Sequence, residues 1–530
     1  MREASMFRLA FAAAALKALV IAGFVLHACS ADAQDGVVVN DIPNDIAQLA
    51  TRIDAQLDAP RFSAASWGIS IVSLDSGKVL YQRNADRLLV PASTAKLYTA
   101  ALALHTFGSE YRIPTTVFAT AHPARDGQLR GDLVLYGYGD PTLGIDRHAD
   151  WAHTLAMQIR KAGVSEVRGD LIGDATRYAA PLYGSGWEAA DLQHWFGAPT
   201  SALSVDDNVV KLKIKPAPQV GQFARVEFDP KTSAPQLDNT LRTVPARTPG
   251  DISLIRRPGS STLYAFGAIA ANAGEQNYKV ALADPALVAV IQLRQALADV
   301  GIAVTGKLRS VYWPARDEAM ADTDRIEVAR DWSPTLGEII HRGLKVSQNL
   351  YMHNLLLLVG ARENDQRIAA LEEGARPLAF RSSETLGIDA MRRFLGSLGI
   401  SLREVDLEEG AGLSRRDLTT AAAMTRLLVA TADDPKYLAL RQALPEAGVD
   451  GTLLGRMRKS AAMGLVHAKT GSMSMNMALA GYVTTNAGER LAFALILNNY
   501  APNGDGDARA SAELDSIAIM LAELRQRSSR

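Results

Sequence analysis

Two stretches at opposite ends of the chain share one character, and this constrains the fold more than any other feature. Near the start, residues 46–57 read as an amphipathic helix. Residues 67–74 then alternate like a strand, Asp75-Ser76-Gly77-Lys78 supplies turn residues, and Val79-Leu80-Tyr81 returns as the second arm of a hairpin. Near the end, residues 465–472, 479–485 and 491–497 read as three strands, and 510–524 as an amphipathic helix. Such matching ends predict one discontinuous α/β (α+β) domain closed by both ends of the chain. The region between, roughly 110–310, consists of short alternating segments broken by Gly, Pro and Asp, such as 131–136 and 209–214, and reads as inserted β-rich material. A chain of 530 residues needs such a division, because single cores stop growing at roughly 250–300 residues.

Composition narrows the function classes. Apolar residues make up 48% and charged residues 21%, with a formal net charge of −1 and no run of one sign. This is the balance of a folded globular protein, without the basic footprint that nucleic-acid binding requires. The first 33 residues are different. Arg2 and Arg8 precede an apolar stretch over 9–26, and Ala31-Asp32-Ala33 has the small-residue pattern of a signal-peptidase site. Residues 1–33 are therefore expected to be a signal peptide. Cys29, the only cysteine, lies within it, so the mature chain is expected to have no disulfide. A minor alternative is a lipoprotein anchored through Cys29, since Leu26-His27-Ala28-Cys29 approaches a lipoprotein signal.

Three short motifs carry chemistry. In Ser93-Thr94-Ala95-Lys96, at the start of an Ala- and Leu-rich helix, positions three apart share a face, so the amine reaches the hydroxyl. A desolvated lysine near other cations has a lowered pKa and can serve as the base that activates serine. Ser347-Gln348-Asn349 opens an apolar run, and offers a hydroxyl for proton relay and an amide for orientation. Lys469-Thr470-Gly471 on a strand offers a cation and a hydroxyl to a carboxylate, and Gly471 is read as leaving room for an extended peptide. The backbone N–H groups of Ser93 and Ser472 are the expected oxyanion donors. Each motif alone is weak, and Ser474-Met475-Asn476 is a decoy for the second; the ordered trio is strong. The nine histidines form no zinc-protease motif, and no cofactor or metal is implied. His341 and His353 read as surface or packing residues.

Ser93 and Ser347 stand 254 positions apart, far more than in compact β-lactamases. A large insertion after the nucleophile helix resembles the class C low-molecular-mass penicillin-binding proteins, the D-alanyl-D-alanine carboxypeptidase/endopeptidase family. The likeness covers most of the mature chain, including 139–143, 169–171, 197–199, 201–203, 412–415 and 448–453. It implies a penicillin-binding, serine β-lactamase-like transpeptidase domain (37–108 and 312–530) with two nested β-rich inserted domains. These are domain II (109–204 and 286–311) and domain III (205–285). It also implies a side pocket for the free amino-acid end of a stem peptide, with Asp140 and Arg415 as its charged members and Met473 and Ser474 beside it.

Two departures from the family pattern stand out. Glu409-Gly410-Ala411 replaces Asp-Gly-Ser, and Ser472 replaces a threonine. Neither is expected to touch the acylation machinery. The resemblance further implies a periplasmic enzyme whose substrates are peptidoglycan stem peptides and whose inhibitors are β-lactams. The alternatives are a β-lactamase or esterase on the same scaffold, or a wall-binding sensor without turnover. The balance of carboxypeptidase and endopeptidase, weak membrane association and a homo-oligomer stay open at this level.

Overall fold

The structure, a computed structural model, describes residues 46–229, 235–257, 259–315, 325–371, 379–500 and 506–528. The expected signal peptide and Cys29 lie outside them.

The two ends of the chain meet in one five-stranded antiparallel sheet. Its order is Val79–Arg83, Ser66–Ser73, Arg490–Asn498, Asn476–Thr484, Val466–Met473. Strand side chains alternate between faces, and here the two faces have different jobs. Leu491, Phe493, Leu495 and Leu497 pack on one side with Ile69, Ile71 and residues of the terminal helices Ile46–Leu57 and Gly506–Ala522. Ala492, Ala494 and Ile496 face the other side, with Ala478 and Ala480, in the core built from helices Lys96–Phe107, Asn349–Ala369 and Ala421–Ala432. Small side chains on that face let helices lie close to the sheet. The decoy motif is the hairpin turn: Met473 pairs with Asn476, and Met475 has a left-handed φ of 62°.

The intervening chain builds separate sheets. One has five strands in the order Leu308–Val311, Leu171–Asp174, Leu133–Gly137, Pro114–Ala119, Ile326–Trp332, flanked by helices Trp151–Lys161 and Pro285–Asp299. Two smaller sheets are separate from it. One is Gln276–Ala281, Val209–Lys215 and Arg225–Asp229; the other is built around Thr262–Ala270. One boundary needs correction. Ile326–Trp332, expected in the peptidase domain that resumes at 312, pairs antiparallel with Pro114–Ala119 and belongs to the inserted sheet. Its Ile-Glu-Val-Ala-Arg-Asp-Trp sequence hid it, since charged residues interrupt the apolar pattern of a strand.

Candidate active site

Ser93 sits in a 3₁₀ turn, Ala92–Ala95, that runs directly into the helix Lys96–Phe107. With three residues per turn, positions i and i+3 eclipse, which sets Lys96 directly over Ser93. The amine Nζ lies 2.8 Å from Ser93 Oγ. From Pro91 to Leu104 every residue is buried except Ser93, which is half-buried and so presents its hydroxyl to the cleft. It lies in the first turn, where backbone N–H groups have no intrahelical acceptor.

Lys96 is wholly buried and has two further partners, Asn349 Oδ1 at 2.6 Å and the carbonyl of Ala411. Burial pushes its pKa down to about 7, against the opposing charges of Glu409 and Asp417. A neutral amine has two N–H groups and one lone pair. The two carbonyl oxygens take both N–H groups, and the lone pair is left for the Ser93 hydroxyl.

The second motif marks the break between helices Leu336–Lys345 and Asn349–Ala369. Ser347 takes a left-handed φ of 58° there, a conformation that costs a non-glycine residue about 1–3 kcal/mol and that clusters at functional sites. Its Oγ accepts from Lys469 Nζ at 2.9 Å. Asn349 Nδ2 donates to Phe196 O at 2.7 Å, so the inserted region fixes the amide that orients Lys96. Lys469 is also fully buried and donates to Thr470 O at 2.6 Å. Burial first, then the nearby charges of Lys96 and Arg456, hold it well below the ordinary lysine range. Thr470 Oγ1 donates to Thr452 Oγ1 at 2.8 Å. Thr452 had no expected role, although it lies in one of the segments, 448–453, that carried the family likeness.

Three expectations change. Gly471 is needed on its packed side: a Cβ there would lie 2.6 Å from Pro91 O, so glycine lets the strand approach the turn before Ser93. Asp140 is only 1% exposed, with Oδ1 accepting from the N–H and hydroxyl of Thr142 and Oδ2 3.3 Å from His148 Nδ1. Its carboxylate is closed to solvent among these partners. Arg415 instead pairs with Glu188, and Asp191 is raised by burial and by Glu188, with Arg415 opposing. This half-exposed cluster was missed because Glu188 and Asp191 stand in no motif read from the sequence. Met473 is half-buried and Ser474 exposed, on the hairpin end of the Lys-Thr-Gly strand. The third change concerns Ala411, at a position expected to be remote from acylation, whose carbonyl binds Lys96 directly.

A serine served by a buried lysine, beneath a strand offering a second lysine, defines the penicillin-recognising serine enzymes as a class. Residues 49–523 match the model of the D-Ala-D-Ala carboxypeptidase 3 (S13) family, and the chain belongs to that family. It is 32% identical over 490 residues to a D-alanyl-D-alanine carboxypeptidase of Actinomadura sp. (strain R39), covering 90% of this chain and 85% of that one. It is 24% identical over 460 residues to D-alanyl-D-alanine carboxypeptidase DacB of Haemophilus influenzae, covering 83% and 87%. The crystal structure of penicillin binding protein 4 from H. influenzae shares the fold, with a TM-score of 0.74 at 22% identity over 89% of this chain and 99% of that one.

Proposed function

We propose that this serine-type D-Ala-D-Ala carboxypeptidase works through an acyl-enzyme on Ser93. The observation that carries the reading is the pairing of Ser93 with Lys96 and of Ser347 with Lys469. Ser93 Oγ attacks the carbonyl of the penultimate D-Ala while its proton passes to Lys96. The developing oxyanion is met by the N–H groups of Ser93 and Ser472. As the C–N bond breaks and the ester forms, Ser347 hands a proton to the leaving amine and regains one from the protonated Lys96, which is neutral again for the next step. Lys469, with Thr470 and Thr452, holds the terminal carboxylate, whose charge favours the lysine's protonated form. Water then cleaves the ester and restores the serine. A β-lactam enters the same path but keeps its leaving group tethered, so the acyl-enzyme persists.

The carboxypeptidase and cross-link endopeptidase reactions share this acyl-enzyme and differ only in the leaving amine. The mixed-charge cluster of Arg415, Glu188 and Asp191 supports a side pocket that takes the zwitterionic end of a diamino-acid side chain. Export to the periplasm follows the signal-like N-terminus. Incubation with defined monomeric and cross-linked muropeptides, followed by product analysis, tests the assignment. Release of D-Ala or resolution of the cross-link, lost in Ser93→Ala, is expected. Cleavage that persists in Ser93→Ala would contradict it.

A further inference from the structure

Glu409 has no contact with Ser93, yet it organises the surroundings of Lys96. Its side chain is wholly buried. Its carboxylate accepts from the backbone N–H groups of Ala411 at 2.6 Å, Leu413 at 2.7 Å and Ser414 at 3.4 Å. These bonds wind residues 409–414 into a tight turn around one anion. The turn aims two carbonyls at the nucleophile helix: Ala411 O at Lys96 Nζ, and Gly410 O at Thr99 Oγ1, which donates at 2.8 Å. Gly412 seals the contact. Its φ is +71° and a Cβ there would lie 2.1 Å from Ala92 O, so the turn sits directly on the residue before Ser93.

The other side of the carboxylate meets His353, whose Nδ1 lies 3.4 Å from Glu409 Oε2 and 3.2 Å from Gly410 N. His353, read as a packing residue, thus ties the turn to helix Asn349–Ala369, the helix whose first residue is the other carbonyl partner of Lys96.

We infer that Glu409 is a positioning residue for acylation: its carboxylate gathers the Ala411, Leu413 and Ser414 N–H groups so that Ala411 C=O holds Lys96 with its lone pair toward Ser93. The inference rests on the reading of Lys96 as the base. Glu409 also sets charge near that base. Burial raises its pKa, but His353 and the N–H groups of Ala411 and Leu413 outweigh this and keep it ionised. Asp417 beside it is raised by burial and by that charge. The titratable groups facing Lys96 are Glu409 and Asp417 from the turn segment and Lys469 from the strand. Glu409 pulls the pKa of Lys96 upward, so removing its charge lowers that pKa.

The test is the rate of acylation by a fluorescent penicillin, measured on the full chain from about pH 5 to about pH 10, together with kcat and KM on a D-Ala-D-Ala peptide. Glu409→Gln should lower kcat by roughly 10- to 100-fold with KM little changed, as expected of a misplaced catalytic group. Its acid limb should move to lower pH. Glu409→Asp, which keeps the charge, should leave the limb in place and restore part of the rate. Thr99→Val, a near-isosteric change that frees Gly410 O and keeps the charge, should lower kcat severalfold with the limb unmoved; it carries the test if the Glu409 variants do not fold. An acid limb unmoved in Glu409→Gln, or wild-type kcat in Thr99→Val, would overturn the inference. Lys96→Ala separates the two claims: acylation near the wild-type rate in that variant would refute Lys96 as base. A silent Lys96→Ala beside an unmoved Glu409→Gln limb would refute the role of Glu409 alone.

Discussion

At the scale of single residues, the site is two buried lysines whose pKa values burial pulls down, with the charge of Lys96 lowering Lys469 further. Lys96 acts as a base only when neutral. With its pKa near 7, acylation should rise as pH increases through neutrality and fall on the acid side, where the amine is protonated. A stopped-flow profile with a chromogenic β-lactam checks this; a rate constant flat from about pH 5 to about pH 9 would exclude Lys96 as the titrating base. Ser347 gives a second prediction, because its hydroxyl and its backbone make opposite demands. Ser347→Gly removes the proton relay but relieves the left-handed φ of 58°. Thermal stability should hold or rise while kcat/KM falls by roughly 10²–10⁴-fold. A matching fall in Tm would show that the hydroxyl is structural instead.

At the scale of elements, the catalytic parts come from the start of one helix, the break between two others and an edge strand, all held against the alanine face of the sheet. Ala494 is fully buried there, and Ser70 Oγ meets Thr425 Oγ1 at 2.8 Å across the same interface. Ala494→Leu should overpack this layer and cost about 1–3 kcal/mol, seen as a lower denaturation midpoint. Unchanged stability would mean that the close approach of helix Ala421–Ala432 is not required. These elements were legible from the sequence because they are local: the period-2 runs at both ends, the turn residues between them, and serine and lysine three apart. Ile326–Trp332 escaped because its partner strand is over 200 residues away and its own pattern is broken by charge. Glu409 and Thr452 escaped for another reason. Their roles depend on backbone groups and contacts that only the folded chain brings together, and no spacing encodes which carbonyl a turn will aim at Lys96.

For the molecule as a whole, the cleft belongs to both ends of the chain and to the insertion between them. Phe196 from the inserted region fixes Asn349, and Glu188 faces Arg415 from the peptidase domain. The insertion is thus part of the site. Family resemblance pointed to a side pocket with Asp140 and Arg415 as its charged members; Asp140 is buried in the insert's interior, and the accessible charges lie at Arg415, Glu188 and Asp191. Arg415→Ala should accordingly lower kcat/KM roughly tenfold or more for peptides with a free diamino-acid end. It should leave acylation by simple penicillins nearly unchanged. Equal losses on both would place Arg415 in the common machinery. The central claim is that Ser93 is the acylated nucleophile. Peptide mass spectrometry of the protein after exposure to penicillin addresses it most directly. The account predicts one covalent adduct on the peptide containing Ser93, absent in Ser93→Ala; an unmodified Ser93 peptide, or an adduct on another serine, would contradict it.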